Sequence, residues 1–110
     1  MGDAYTASRM DGKNCLVTGA TRGLGLATAI ALAKLGAHVT IAGRSPERID
    51  AALATIRQQA PGSAPDSLLA DLSSMAQVRA LASQFLLRYG ELDVLINNAG
   101  GTFLKYARTE

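Results

Sequence analysis

The chain is poor in the residues that build several kinds of site. Among its 110 residues there is one cysteine, one histidine and no tryptophan. The lone Cys15 excludes an intramolecular disulfide, which argues against a small bridged secreted domain and fits a reducing compartment. Cys15 and His38 cannot by themselves make a Cys/His zinc site. Aromatics are 5% of the chain, too few to stack on bases, and the basic residues are scattered. The net charge of +2 is therefore no footprint of nucleic-acid binding. No apolar run reaches the roughly 20 residues of a membrane helix, and no apolar stretch follows a basic region at the N-terminus, as a signal peptide would require. Met1-Gly2-Asp3-Ala4-Tyr5-Thr6 fits the loose myristoylation pattern, but that pattern is short and often met by chance. What is plentiful is apolar: 48% hydrophobic against 18% charged. Such a chain buries a core, and its length predicts one domain.

Residues 1–11 are small and polar without periodicity, and are expected to be a flexible tail. The domain is expected over 12–110. Residues 13–18 (KNCLVT) form a short apolar run ending at Gly19, which reads as a buried strand. An Ala/Leu/Ile-rich stretch then runs to Leu35 and reads as a helix stopped by Gly36. The β-branched run 38–42 is a second strand. Ser45-Pro46 starts a helix, Ser as N-cap and Pro in the first position, and Ile49, Leu53 and Ile56 recur at helical spacing. Residues 61–66 are a loop, and 67–70 a short strand. Ser74 and Gln77 have capping-box spacing. Val78, Leu81, Ala82, Phe85 and Leu86 keep one helical face, which Gly90 ends. Residues 93–96 are a fourth strand.

The order βαβαβαβ predicts parallel pairing in a three-layer α/β domain, with right-handed crossovers and strand order 3-2-1-4. In such a sheet ligands bind at the C-terminal strand ends where the order reverses. Here that point lies between strands 1 and 4, where Gly19 and Asn97-Asn98-Ala99-Gly100 both fall.

Four clusters carry candidate chemistry. Thr18-Gly19-Ala20-Thr21-Arg22-Gly23-Leu24-Gly25 follows a strand and opens a helix. Glycines there let backbone N–H groups approach an anion, and the helix N-terminus adds partial positive charge. The same residues also suit a turn that merely packs. Arg44-Ser45 stands past strand 2, where a fold that prefers NAD usually has an acid for the ribose hydroxyls. A guanidinium fork suits a 2′-phosphate instead, and Arg22 would close on the same group. Asp71-Leu72 follows strand 3; the carboxylate would accept from an adenine amino group or cap the next helix. Asn97 and Asn98 would tie neighbouring strands together, with Ala99 and Gly100 leaving room for a ribose.

Together, in this order and at these separations, these motifs resemble the short-chain dehydrogenase/reductase family. The resemblance runs from about residue 13 to residue 100. It implies a Rossmann-type sheet, with Gly19, Ala20, Thr21, Arg22, Gly23, Leu24 and Gly25 holding the pyrophosphate. It implies Asp71 and Leu72 beside the adenine, and Asn97, Asn98, Ala99 and Gly100 lining the ribose and bracing the sheet. Family members favouring NADPH carry basic residues where Arg22 and Arg44 stand, so NADP(H) is expected over NAD(H). The stretch around Arg44 and residues 105–110 look most like the retinol-dehydrogenase-like branch. The implied function is the cofactor-binding portion of an oxidoreductase that interconverts an alcohol and a carbonyl by hydride transfer. A non-catalytic NADP-binding or interaction module is the alternative.

The family's chemistry uses Tyr-x-x-x-Lys, in which the cation makes a phenol near pKa 10 useful at neutral pH. Four residues beyond Tyr5, Tyr89 and Tyr106 stand Arg9, Asp93 and Glu110. No catalytic residue is therefore assigned in this chain, and no metal site. With strand 4 at the sheet edge, the chain is expected to be a fragment or to associate through that edge, as a homo-oligomer. The small-molecule partner is an alcohol or carbonyl compound; neither nucleic acid nor membrane is expected, and the compartment expected is the cytoplasm.

Overall fold

A computed structural model describes residues 9–98 and the backbone of 104–108. Five strands form one sheet in the order β3-β2-β1-β4-β5. They are β1 (Asn14–Thr18), β2 (His38–Gly43), β3 (Asp66–Leu69), β4 (Glu91–Asn97) and β5 (Leu104–Arg108). The first four run parallel, with Cys15 beside Val39 on one side and Val94 on the other. The expected 3-2-1-4 order and βαβαβαβ succession are what the chain adopts.

The helices are α1 (Gly23–Lys34), α2 (Pro46–Gln59) and α3 (Met75–Tyr89). The start signals act as anticipated. Ser45 Oγ accepts from the Arg48 N–H at 3.3 Å, and Ser74 Oγ from the Gln77 N–H at 3.2 Å. Pro46 loses nothing at the first position, where its missing N–H has no intrahelical partner.

Strand alternation divides the core in two. Cys15, Val17, Val39 and Ile41 pack under Ala29, Ala33, Ile49, Leu53 and Ile56 of α1 and α2. Leu16 and Ala42 point the other way, toward Val78, Leu81 and Phe85 of α3. Phe85 is fully buried, worth about 1.5–3 kcal/mol of apolar transfer. Leu92 and Leu95 share that face although three apart; the pairing of β4 with β5 shifts register between them, as at a bulge.

Two expectations are corrected. β4 is not the edge: β5 lies antiparallel along it, from Glu91 opposite Arg108 to Ile96 opposite Leu104. The signal was in the sequence, where Leu104 and Tyr106 alternate with Lys105. The N-terminal stretch is tied down before residue 12. The Met10 N–H donates to the Leu35 carbonyl at 2.8 Å, Met10 packs against the core, and Arg9 pairs with Asp11 at 3.1 Å. Burying a thioether and closing a backbone bond outweigh the tail's polar composition. Residues 1–8 lie outside the described residues. Among the described residues no helix is long and apolar enough to cross a membrane, and no three His, Cys, Asp or Glu side chains group to hold a metal.

Candidate functional site

β1 delivers the chain to Gly19, whose φ of +62° is in the left-handed region that glycine tolerates. The next turn folds back so closely that a Cβ on Gly25 would lie 2.0 Å from the Gly19 carbonyl oxygen. A residue with a side chain at 25 would push β1 and α1 apart. Ala20 is fully buried beneath this turn, Thr21 is half-buried, and Arg22, Gly23 and Leu24 are exposed.

α1 begins unlike the other two helices. Its N-cap is Arg22, with no side-chain cap bond and no acid in the first turn. α2 and α3 each have a serine cap. The first N–H groups of α1 thus keep their partial positive charge without a side chain of the protein to answer it.

Beside this turn lies a cleft of about 370 Å³. Its walls come from three strand ends: Gly19 and Thr21 after β1, Ala42 to Ser45 after β2, and Ala70 to Ser73 after β3. The Ala70 N–H donates to the Gly43 carbonyl at 2.8 Å and holds the last two walls together. Arg44, Ser45, Asp71 and Leu72 therefore line one cleft. Arg48 joins them from the first turn of α2. It was missed in the sequence, although Ser45-Pro46 fixes the helix start and so puts position 48 back beside position 44. Among the described residues, neither Arg44 nor Arg48 makes an ion pair. The cleft thus has two uncommitted guanidinium groups on one wall.

Asp71 is exposed on the opposite side, and its Oδ1 accepts from the Ser73 N–H at 3.1 Å. The cap of α3 is Ser74, so the capping reading of Asp71 does not hold. Arg22 does not line the cleft, so it does not share a mouth with Arg44.

The asparagines sit at the β1–β4 junction and brace the sheet, as expected. Asn97 is buried, and its Oδ1 accepts from Thr18 Oγ1 at 2.6 Å. Thr18 Oγ1 in turn accepts from the Asn98 N–H at 3.0 Å. These bonds lace β1 to β4 where the strand order reverses. Neither asparagine is among the residues that line the cleft after β1, β2 and β3. Ala99 and Gly100 lie outside the described residues.

The pattern of the short chain dehydrogenase family matches residues 13–109. The chain belongs to that family. Retinol dehydrogenase 14 of Mus musculus is 42% identical over 92% of the chain and 33% of its own length. A hydroxysteroid dehydrogenase from Escherichia coli superposes with a TM-score of 0.73 at 32% identity, over 87% of the chain and 40% of that one. L-sorbose reductase from Gluconobacter frateurii, solved with NADPH and L-sorbose, gives a TM-score of 0.72 at 30% identity, over 84% of the chain and 35% of that one. This short-chain dehydrogenase sequence spans 35% and 24% of the length of two further curated relatives, and so only part of such proteins. The fold and the family thus rest on both sequence and backbone.

Proposed function

We propose that the chain is the cofactor-holding part of an NADP(H)-dependent oxidoreductase that interconverts an alcohol and a carbonyl compound. The observation that carries this reading is the cleft with Arg44 and Arg48 on one wall and the glycine turn at its end. The residues fit the cofactor on three counts. Gly25 lets the start of α1 close against the Gly19 carbonyl so that the turn stays tight, the N-terminus of α1 has no side-chain cap, and no acid stands directly after β2. Backbone N–H groups at the start of α1 hold the pyrophosphate, Arg44 and Arg48 hold the 2′-phosphate, and Asp71 accepts from the adenine amino group. When bound, the cofactor supplies or takes up the hydride. Asn97, Thr18 and Asn98 keep β1 and β4 in register beneath it. No Tyr-x-x-x-Lys occurs in these 110 residues, so the present residues are assigned to binding and orientation alone. The family relatives named above support hydride chemistry on a small alcohol or carbonyl substrate.

The test is a comparison of NADPH and NADH dissociation constants by fluorescence. Arg44→Asp puts a carboxylate where the 2′-phosphate would sit, so NADPH binding falls and the preference turns toward NADH. Arg48→Ala weakens NADPH roughly tenfold and leaves NADH alone, the loss of about one charge-assisted bond. An Arg44→Asp chain that still prefers NADPH would sink the assignment.

A further inference from the structure

Three sulfur-bearing side chains lie among the described residues: Met10, Cys15 and Met75. Cys15 is fully buried, and burial, aided by the charge of Asp93, pushes its thiol up to about 11. The reactive thiolate is therefore scarce. Met10 packs against the core under α1 and α2. Met75 is 44% exposed and belongs to neither core cluster. Its Sδ accepts from Asn97 Nδ2 at 3.8 Å. Asn97 Oδ1 accepts from Thr18 Oγ1, and Thr18 is the residue before Gly19. A line of contacts thus runs from an exposed sulfur on the first residue of α3 to the glycine turn.

We propose that Met75 is a sulfoxidation site connected to the glycine turn through Asn97. In the step, a peroxide transfers one oxygen to the Sδ lone pair. The S–O bond forms and the O–O bond breaks. With hydrogen peroxide, water leaves; sulfur loses the two electrons that the peroxide gains. A thioether is a weak acceptor, whereas the sulfoxide is polar. Its oxygen takes the Asn97 amide hydrogen in place of sulfur, and the partial positive charge at the start of α3 favours it there. The flexible, half-exposed side chain of Met75 adjusts without disturbing the core. Oxidation therefore tightens the hold on Asn97, and with it the brace under the turn. The consequence for the cofactor rests on the reading above; the link from Met75 to Asn97 does not.

The experiment treats the ¹⁵N-labelled chain with hydrogen peroxide and follows peptide masses and the side-chain amide resonances. Met75 gains one oxygen before Met10, and the Asn97 amide protons move downfield. Met75→Leu keeps the other resonances and the melting temperature and loses both responses. NADPH affinity then differs between reduced and oxidised wild type but not in Met75→Leu. Equal oxidation of Met10 and Met75, or an Asn97 signal that stays in place on the sulfoxide, overturns the proposal. Failure of the reduced chain to bind NADPH overturns the cofactor reading instead, and the amide shift still decides this one.

Discussion

At the N-terminal rim of the sheet, polar side chains are turned toward one another. At the C-terminal rim, several are turned toward a cleft. Below β1, Asp93 Oδ2 accepts from the Asn14 N–H at 2.7 Å, and Asn14 Nδ2 donates to the Glu91 carbonyl at 3.1 Å. Below β2 and β3, Asp66 accepts from the Tyr89 hydroxyl, from Arg88 at 3.3 Å and from the Ser67 N–H at 2.9 Å. The His38 ring lies 5.1 Å from that of Tyr89. The upper rim has the opposite character, with a helix without a side-chain cap, two arginines without ion pairs and a turn so tight that it excludes a side chain. The same sheet thus has an end whose polar groups satisfy one another and an end where, among the described residues, two arginines and a helix N-terminus have no such partner. On the proposed function, stability and binding are separated along the strand axis, and substitutions at the two ends should read out differently.

The largest effect is expected at Gly25. Gly25→Ala drives a methyl into the Gly19 carbonyl, so the turn must open. The expected result is loss of NADPH binding together with about 1–3 kcal/mol of stability, the cost of overpacking a tight contact. Gly62→Ala is the control, in the loop between α2 and β3. Its φ is +90°, but nothing lies within 4 Å of a Cβ there and it does not line the cleft, so only backbone strain of roughly 1–2 kcal/mol is added and binding persists. Calorimetric titration beside thermal melts distinguishes the two. Equal binding losses would deny the turn its steric role.

Asn97 comes next, because it is the upper rim's exception: a buried polar group committed to the fold. Asn97→Ala removes the Thr18 hydroxyl's acceptor at a fully buried position. The expected cost is about 1–3 kcal/mol, read as a lower urea midpoint with an unchanged slope. NADPH affinity should fall as well, since β1 carries the turn. A variant that loses stability but binds normally would move Asn97 wholly to the structural side of the comparison.

Much of this division was legible in the residues, and what was missed follows from the physics. Glycine, proline and serine punctuation is local chemistry, so the helix starts at Ser45 and Ser74 were readable. The parallel order followed from alternation of strands and helices. Arg48 was missed because its role depends on where α2 lies against the β2 turn, which is tertiary. That Asn97 ties strands together was readable from its place after the fourth strand, but its partner, Thr18, lies 79 residues away and is fixed only by the pairing of β1 with β4. β5 was overlooked because a five-residue alternating run is weak evidence by itself. Tyr89 and Asp66 also meet only in the fold, 23 residues apart in sequence.

The smallest effect is expected at the lower rim, at Asp66. Partial burial raises its pKa, but the Tyr89 hydrogen bond, the Ser67 N–H and the charges of Arg88 and His38 outweigh it, and the carboxyl sits below its usual range. A carboxylate with a depressed folded pKa stabilises the protein above its unfolded pKa, near 3.9, and loses that contribution as pH falls through the folded value. Asp66→Asn should therefore cost about 1 kcal/mol at neutral pH, discounted because the group is well solvated. The difference from wild type should shrink below about pH 4 as the wild-type carboxyl takes up its proton. NADPH affinity should not move at all, because Asp66 begins β3 and the cleft lies beyond its end. Urea unfolding across pH, paired with NADPH titration, reads both. A binding change at Asp66 would mean that the two rims are coupled through the strands.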